Sequence, residues 1–131
     1  MIKFDKTHYD ILSNQGNHLP SKKYYCRECI TWSYISSKSF AARYSKMGSV
    51  FDVKGSCGFP YYDDLWFVLA FLNSKLTLQY IDSLNPTNTT QVGDLKRIPI
   101  ILPNDEDKNI IDSLSKKCVE LSKNNYDSFE I

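Results

Sequence analysis

The segment YYDDLWFVLAFLNSKLTLQYIDSLN, residues 61–85, constrains this chain more than any other. Leu65, Val68, Leu69, Leu72, Leu76 and Tyr80 recur at steps of three and four residues. That is the period of an α-helix, and the spacing predicts one helix of roughly twenty residues. Asp63 and Asp64 stand near its start, where negative charge suits the helix dipole, and Pro86 ends it. Trp66, Phe67, Ala70 and Phe71 make further faces apolar. A helix apolar around most of its girth has to be buried, in its own fold or against something else. Its apolar run, Leu65 to Leu72, is far too short to span a bilayer.

The rest of the chain is organised around that helix. FDKTHYDILS predicts a short helix, and NQGNHLPS, with Gly16 and Pro20, a loop. From Lys23 the pattern turns β-like: KYYCRECITWS, KSFAARYS and GSVFDVKG predict three short strands. Gly55, Gly58 and Pro60 close that section as turn residues. RIPIILP predicts a short strand at a sheet edge because of Pro99. NDEDKNIIDSLSKKCVELSKNNYDSF predicts a C-terminal helix, with acids leading, lysines toward its end, and a stripe of Ile110, Ile111, Leu114, Cys118 and Leu121. The expected fold is one α+β domain: short antiparallel strands, a long buried helix and a C-terminal helix. Residues 1–22 form a lead-in and residues 23–131 the domain. The N-terminus MIKFDKTHYD lacks the apolar core of a secretory signal, which points to a cytoplasmic protein without a membrane partner.

Catalytic equipment is missing. The glycines are scattered and form no phosphate-cradling loop. The paired acids lie at helix starts, where they serve caps and dipoles. His8 and His18 have no partner in sequence that would make either a base. Cys26 and Cys29 form one C-x-x-C, but Cys57 and Cys118 supply no second pair for zinc. On a strand, that spacing sends the two thiols to opposite faces. No catalytic and no metal-ligating residue is assigned, and no cofactor.

Binding equipment is present. ITWSYISSKSFAARYSKMGSVFDVKGSCGFP, residues 30–60, mixes hydroxyls, aromatics and cations. Hydroxyls, amides and guanidinium groups are what contact phosphates and base edges. Ser36, Ser37, Lys38, Arg43 and Lys46 are the candidate contacts, together with the loop residues Asn88, Thr89, Thr90 and Gln91. Ile35, Phe40 and Tyr44 are expected on the buried side, with Trp32, Phe51 and Phe59 in or near the core. The net charge of +1 excludes a basic footprint over the whole domain, so only a small basic face is available.

The same stretch, followed by LAFLNSKLTLQYIDSLNPTNTTQVGDLKRIPIILP, resembles the C-terminal target-recognition region of large bacterial adenine-specific DNA methyltransferases, of the PglX type of BREX phage defence or the fused type IIG restriction–modification kind. The resemblance covers roughly Tyr24 to Pro103 and lies in the order and spacing of its blocks. It implies double-stranded DNA as a partner, and a methyltransferase catalytic domain in cis or in trans. It places S-adenosylmethionine and an N-P-P-Y motif in that other domain: Asn85 to Asn88 read NPTN, which is not that motif. The helix after RIPIILP resembles by position the spacer of type I specificity subunits. Two rival readings follow from the residues alone. One is a protein-interaction module docking through helix 65–80 without DNA. The other is a small metal-bound domain built on Cys26 and Cys29.

Overall fold

The computed structural model describes residues 5–14, 21–35, 39–51 and 55–127. Three strands, β1 (Cys29–Ser33), β2 (Ala42–Ser45) and β3 (Gly55–Gly58), form one antiparallel sheet in the order β2-β1-β3. Among the described residues, five α-helices accompany it: α1 (Lys6–Asn14), α2 (Leu65–Leu72), α3 (Lys75–Leu84), α4 (Val92–Leu95) and α5 (Asp105–Asp127). The α+β class and the antiparallel sheet agree with the sequence reading. Among the described residues, no helix is long and apolar enough to cross a membrane.

Alternation along β1 sets up both faces of the sheet. Ile30 and Trp32 point inward and are buried, while Ser33 is exposed. Inward residues join Phe40, Ala42, Leu65, Leu69, Leu72, Ile81 and Ile98 in one core. Helix α2 lies between the sheet and α5, and Leu65, Leu69 and Leu72 supply its buried stripe. The girdle of apolar residues that made this helix conspicuous is therefore largely taken up inside the chain. For the docking alternative, the exposed apolar residues left over 65–80 are Leu76 and Tyr80, on α3.

Four expectations need correction. The single long helix is two, broken at Asn73 and Ser74. Ser74 caps α3, its hydroxyl accepting from the Thr77 N–H at 3.2 Å, and the fully buried Thr77 hydroxyl donates to the Phe71 carbonyl at 2.6 Å. Side-chain hydrogen bonds have replaced the helical ladder there. The third strand falls on GSCG, read as a closing turn, and not on GSVFDVKG; residues 52–54 lie outside the described residues. Register explains it: β1 offers its second edge to residues 55–58, and pairing through the backbone asks little of the side chains. RIPIILP is no strand. Pro99 and Pro103 lack N–H groups, and Ile101 is 85% exposed. Lys23 and Tyr24, the start of the first predicted strand, belong instead to a single 3₁₀ turn (Lys22–Tyr24), so β1 begins only at Cys29.

The helix predicted near the N-terminus is α1. Asp5 accepts from the His8 N–H at 2.9 Å and lies 2.7 Å from His8 Nδ1. The carboxylate beside this histidine is here the helix cap, and both side chains are exposed.

Candidate nucleic-acid interface

The outward face of the sheet is built from short polar side chains. Register sets Thr31 between Arg43 on β2 and Cys57 on β3. Arg43 is exposed, and its Nη2 donates to the Ser33 hydroxyl at 2.7 Å. One bond occupies one of five guanidinium donors and fixes the direction of the fork. Thr31 donates its hydroxyl to the Ser56 carbonyl at 3.0 Å. A hollow of about 350 Å³ opens here, lined by Thr31, Ser33, Tyr34, Ile35, Arg43 and Gly55 among others.

The loop after α3 is stitched to the same end of the sheet. The Thr90 N–H donates to the Tyr34 carbonyl at 2.9 Å, and Trp32 Nε1 donates to the Thr90 carbonyl at 3.3 Å. Ile35 and Thr89 form an isolated antiparallel bridge. The organiser of the loop is Asn85. Its Nδ2 donates to the Thr89 carbonyl and to Asp94 Oδ2, at 2.8 and 2.9 Å. Its Oδ1 accepts from the Thr87 N–H and hydroxyl, at 3.2 and 2.6 Å. Asp94 also accepts from the Gln91 N–H at 2.9 Å, which caps α4. The Asn85 amide, then the Gln91 N–H, hold the Asp94 carboxyl below the usual carboxylate range.

The sequence candidates therefore divide. Arg43 lies on the outward face, and Lys46 is exposed just beyond β2. Asn88 and Gln91 are exposed and Thr89 half-buried, beside the end of β1. Thr90 is buried, and its backbone anchors the loop, so it supports the surface instead of presenting itself. Ser36, Ser37 and Lys38 lie outside the described residues. Tyr44 and Phe40 point to the buried side, but Ile35 is 62% exposed, beyond the end of the ladder where alternation no longer rules. Trp32 and Phe40 are core, whereas Phe51 and Phe59 form a half-buried aromatic group with Tyr24 and Tyr25. Sequence reasoning missed Thr31, Ser33 and Asn85. Alternation opposite Ile30 and Trp32 could have found the first two, and the Asn-Pro-Thr turn signal the third.

The cysteines have a different arrangement from that read in sequence. Cys26 sits in a turn with φ of 61° and is exposed, not on a strand. Cys29 is buried on β1, its sulfur 3.5 Å from that of Cys57. Burial, then the contact with Cys57, pushes its thiol up to about 12, so Cys29 stays protonated and unreactive near neutral pH. The described glycines stand in a turn (Gly48), on β3 (Gly55 and Gly58) and in the short α4 (Gly93). Among the described residues, none forms a glycine-rich loop leading into a long helix.

No family model matches the chain. Two curated proteins are similar over most of it. The adenine-specific methyltransferase PglX of Lacticaseibacillus casei (strain Zhang) is 36% identical over 115 residues, which is 87% of this chain and 9% of that protein. The adenine-specific methyltransferase BrxX of Escherichia coli O9:H4 (strain HS) is 30% identical over 133 aligned residues, 99% of this chain and 10% of the relative. This chain is homologous to a segment of these methyltransferases. It spans about a tenth of the length of the relatives it matches. The aligned region takes in the Arg43 face, the Asn85–Gln91 loop and the core that joins them, because nearly the whole chain is aligned.

Proposed function

We propose that this chain is a DNA-recognition segment of an adenine-specific methyltransferase of BREX-type phage defence, contributing target recognition and no methyl transfer of its own. Double-stranded DNA is its ligand. A methyltransferase catalytic domain, in cis or in trans, is its partner and the holder of S-adenosylmethionine. The observation that carries this reading is the junction of Arg43 and Ser33 with the loop anchored at Tyr34 and Thr90. Two parts of the sequence 40 or more residues apart, each rich in hydroxyls and amides, meet at one end of the sheet. Such a surface offers a charged fork for a base edge or phosphate, with neutral donors and acceptors beside it. Homology to adenine-specific methyltransferases supports DNA as the class of ligand.

The test is selection from a random duplex pool by the 131-residue chain, followed by anisotropy titration on the enriched sequence. One motif should be enriched, and affinity should fall as salt rises, because phosphate contacts release counterions. Arg43→Ala should cost about 1–3 kcal/mol and relax the preference at one position. Absence of enrichment, with binding indifferent to Arg43→Ala in a folded protein, would sink the reading.

A further inference from the structure

The outward face of the sheet continues past Thr31 toward the start of β1. Gly58 faces the core, since a Cβ there would meet the Trp32 ring at 3.6 Å. Alternation therefore turns the next residue, Phe59, to the outward side with Cys57, whose sulfur touches that of Cys29. Tyr24 stacks on Phe59 with ring centroids 4.7 Å apart. Two cations share that tyrosine ring: Lys23 Nζ lies 4.9 Å from its centroid and the half-buried Arg27 guanidinium 5.5 Å. Like charges held on one ring repel each other, and an anion set between them relieves the repulsion. Lys23 is exposed, and among the described residues no acid forms an ion pair with it.

The backbone is bent to hold this arrangement. Among the described residues, the non-glycine residues in the left-handed region are Ser21 and Cys26, with φ of 54° and 61°, and they bracket residues 22–25. The Cys26 N–H donates to the Ser49 carbonyl at 3.0 Å, and the Cys26 carbonyl accepts from the Gly48 N–H at 3.3 Å. These bonds tie the bend to the turn after β2. Backbone strain of this kind persists where surrounding contacts over-determine it, and it clusters at ligand clamps.

Charge points to the ligand. Between residues 21 and 51 the sequence holds six cations and one acid, Glu28. Glu28 is engaged with Tyr44, accepting from its hydroxyl at 2.8 Å. Arg27 lies four residues before Thr31, which stands opposite Arg43, a span of at most about 14 Å along the chain. The major groove of duplex DNA is about 12 Å wide. One sheet face can thus set Arg43 in the groove and Arg27 at its phosphate wall. Resting on the recognition reading above, we propose that Lys23 and Arg27, set on the Tyr24 ring, clamp the DNA phosphate backbone flanking the base step that Arg43 reads. Lys22 is not part of the clamp, because its Nζ donates to Ser13 at the end of α1, at 3.1 Å, and lies over the Tyr9 ring.

Anisotropy titrations of the 131-residue chain across a salt series test this, on the selected duplex and on an unrelated one. Lys23→Gln and Arg27→Gln should each weaken binding to both duplexes by the same factor. Each should reduce the steepness of log affinity against log salt by about one, and the double variant by about two, as phosphate contacts are lost. Lys23→Gln alters an exposed side chain and should keep the far-ultraviolet circular dichroism of the parent. Arg27→Lys keeps the charge and should keep the slope. Lys117→Gln, the same charge change at an exposed position of α5, should move neither affinity nor slope. Sequence preference should be unchanged in every variant, which separates the clamp from Arg43. If Lys23→Gln and Arg27→Gln shift the slope no more than Lys117→Gln does, the clamp is overturned while the Arg43 reading stands. Binding without an enriched motif, with a slope that both variants reduce, keeps the clamp and removes the recognition reading. Absence of binding to any duplex overturns both.

Discussion

At the scale of single residues, the polar side chains of the proposed interface are set by one another before they can meet a ligand. Arg43 is aimed by Ser33, and the loop is held by Asn85 through four hydrogen bonds. Asp94 is the charged member of that set. Its folded pKa lies below the ordinary 3.8, so it contributes stability that is present above that value and lost as pH falls through the folded one. Asp94→Asn should therefore melt lower than the parent at neutral pH. The difference between the two should shrink as pH drops below about 4, as the parent's carboxylate is titrated. Thermal melts across that range check this; a constant gap would mean that the Asp94 charge does not hold the loop. The spacing of Arg43 from the loop residues could not be read from the sequence, but the hydroxyl and amide content of both stretches could.

Among the elements, the break between α2 and α3 matters most. A continuous helix would carry Asn73 onward along the axis. The break instead turns its carboxamide against β2 and lets Ser74 begin a new helix. Ser74→Ala removes the cap and should cost about 1 kcal/mol, while Ser74→Asp, which can still accept from the Thr77 N–H, should retain most of the stability. Urea midpoints of the three proteins decide it. At the other end of α2, Lys108 of α5 donates to the Asp63 carbonyl and lies 3.7 Å from Asp64 and 3.4 Å from Asp112. The acids read as dipole residues of α2 thus also receive a cation from α5. Periodicity revealed the helices but not the break, because Leu76 and Tyr80 keep the same period across it.

For the whole molecule, α2 is the keystone of a small core, covered by the sheet and by α5. Leu69 is 4% exposed at the centre of that arrangement. Leu69→Ala should cost about 2–5 kcal/mol, the range for truncating a buried leucine in a packed core. Domains of this kind have about 5–15 kcal/mol in total, so the variant should be largely unfolded well below the parent's melting temperature. Circular dichroism melts measure this; a shift of only a degree or two would show that α2 is not central to the fold.

The sequence by itself determined the class of the fold, the existence of α1 and α5, the burial of Trp32, and the homology to adenine-specific methyltransferases. These follow from local period and composition, which a chain carries whatever it packs against. The third strand, the helix break and the exposure of Ile100–Leu102 were decided by tertiary structure. GSCG is a strand because β1 needs a second partner, not because glycine and serine favour one. Asn73 leaves the helix because Ala42 has an N–H and a carbonyl to satisfy. Ile100–Leu102 stays out of the sheet because its prolines cannot complete a ladder. In the first two cases the deciding group lies far away in sequence, where no local pattern can report it.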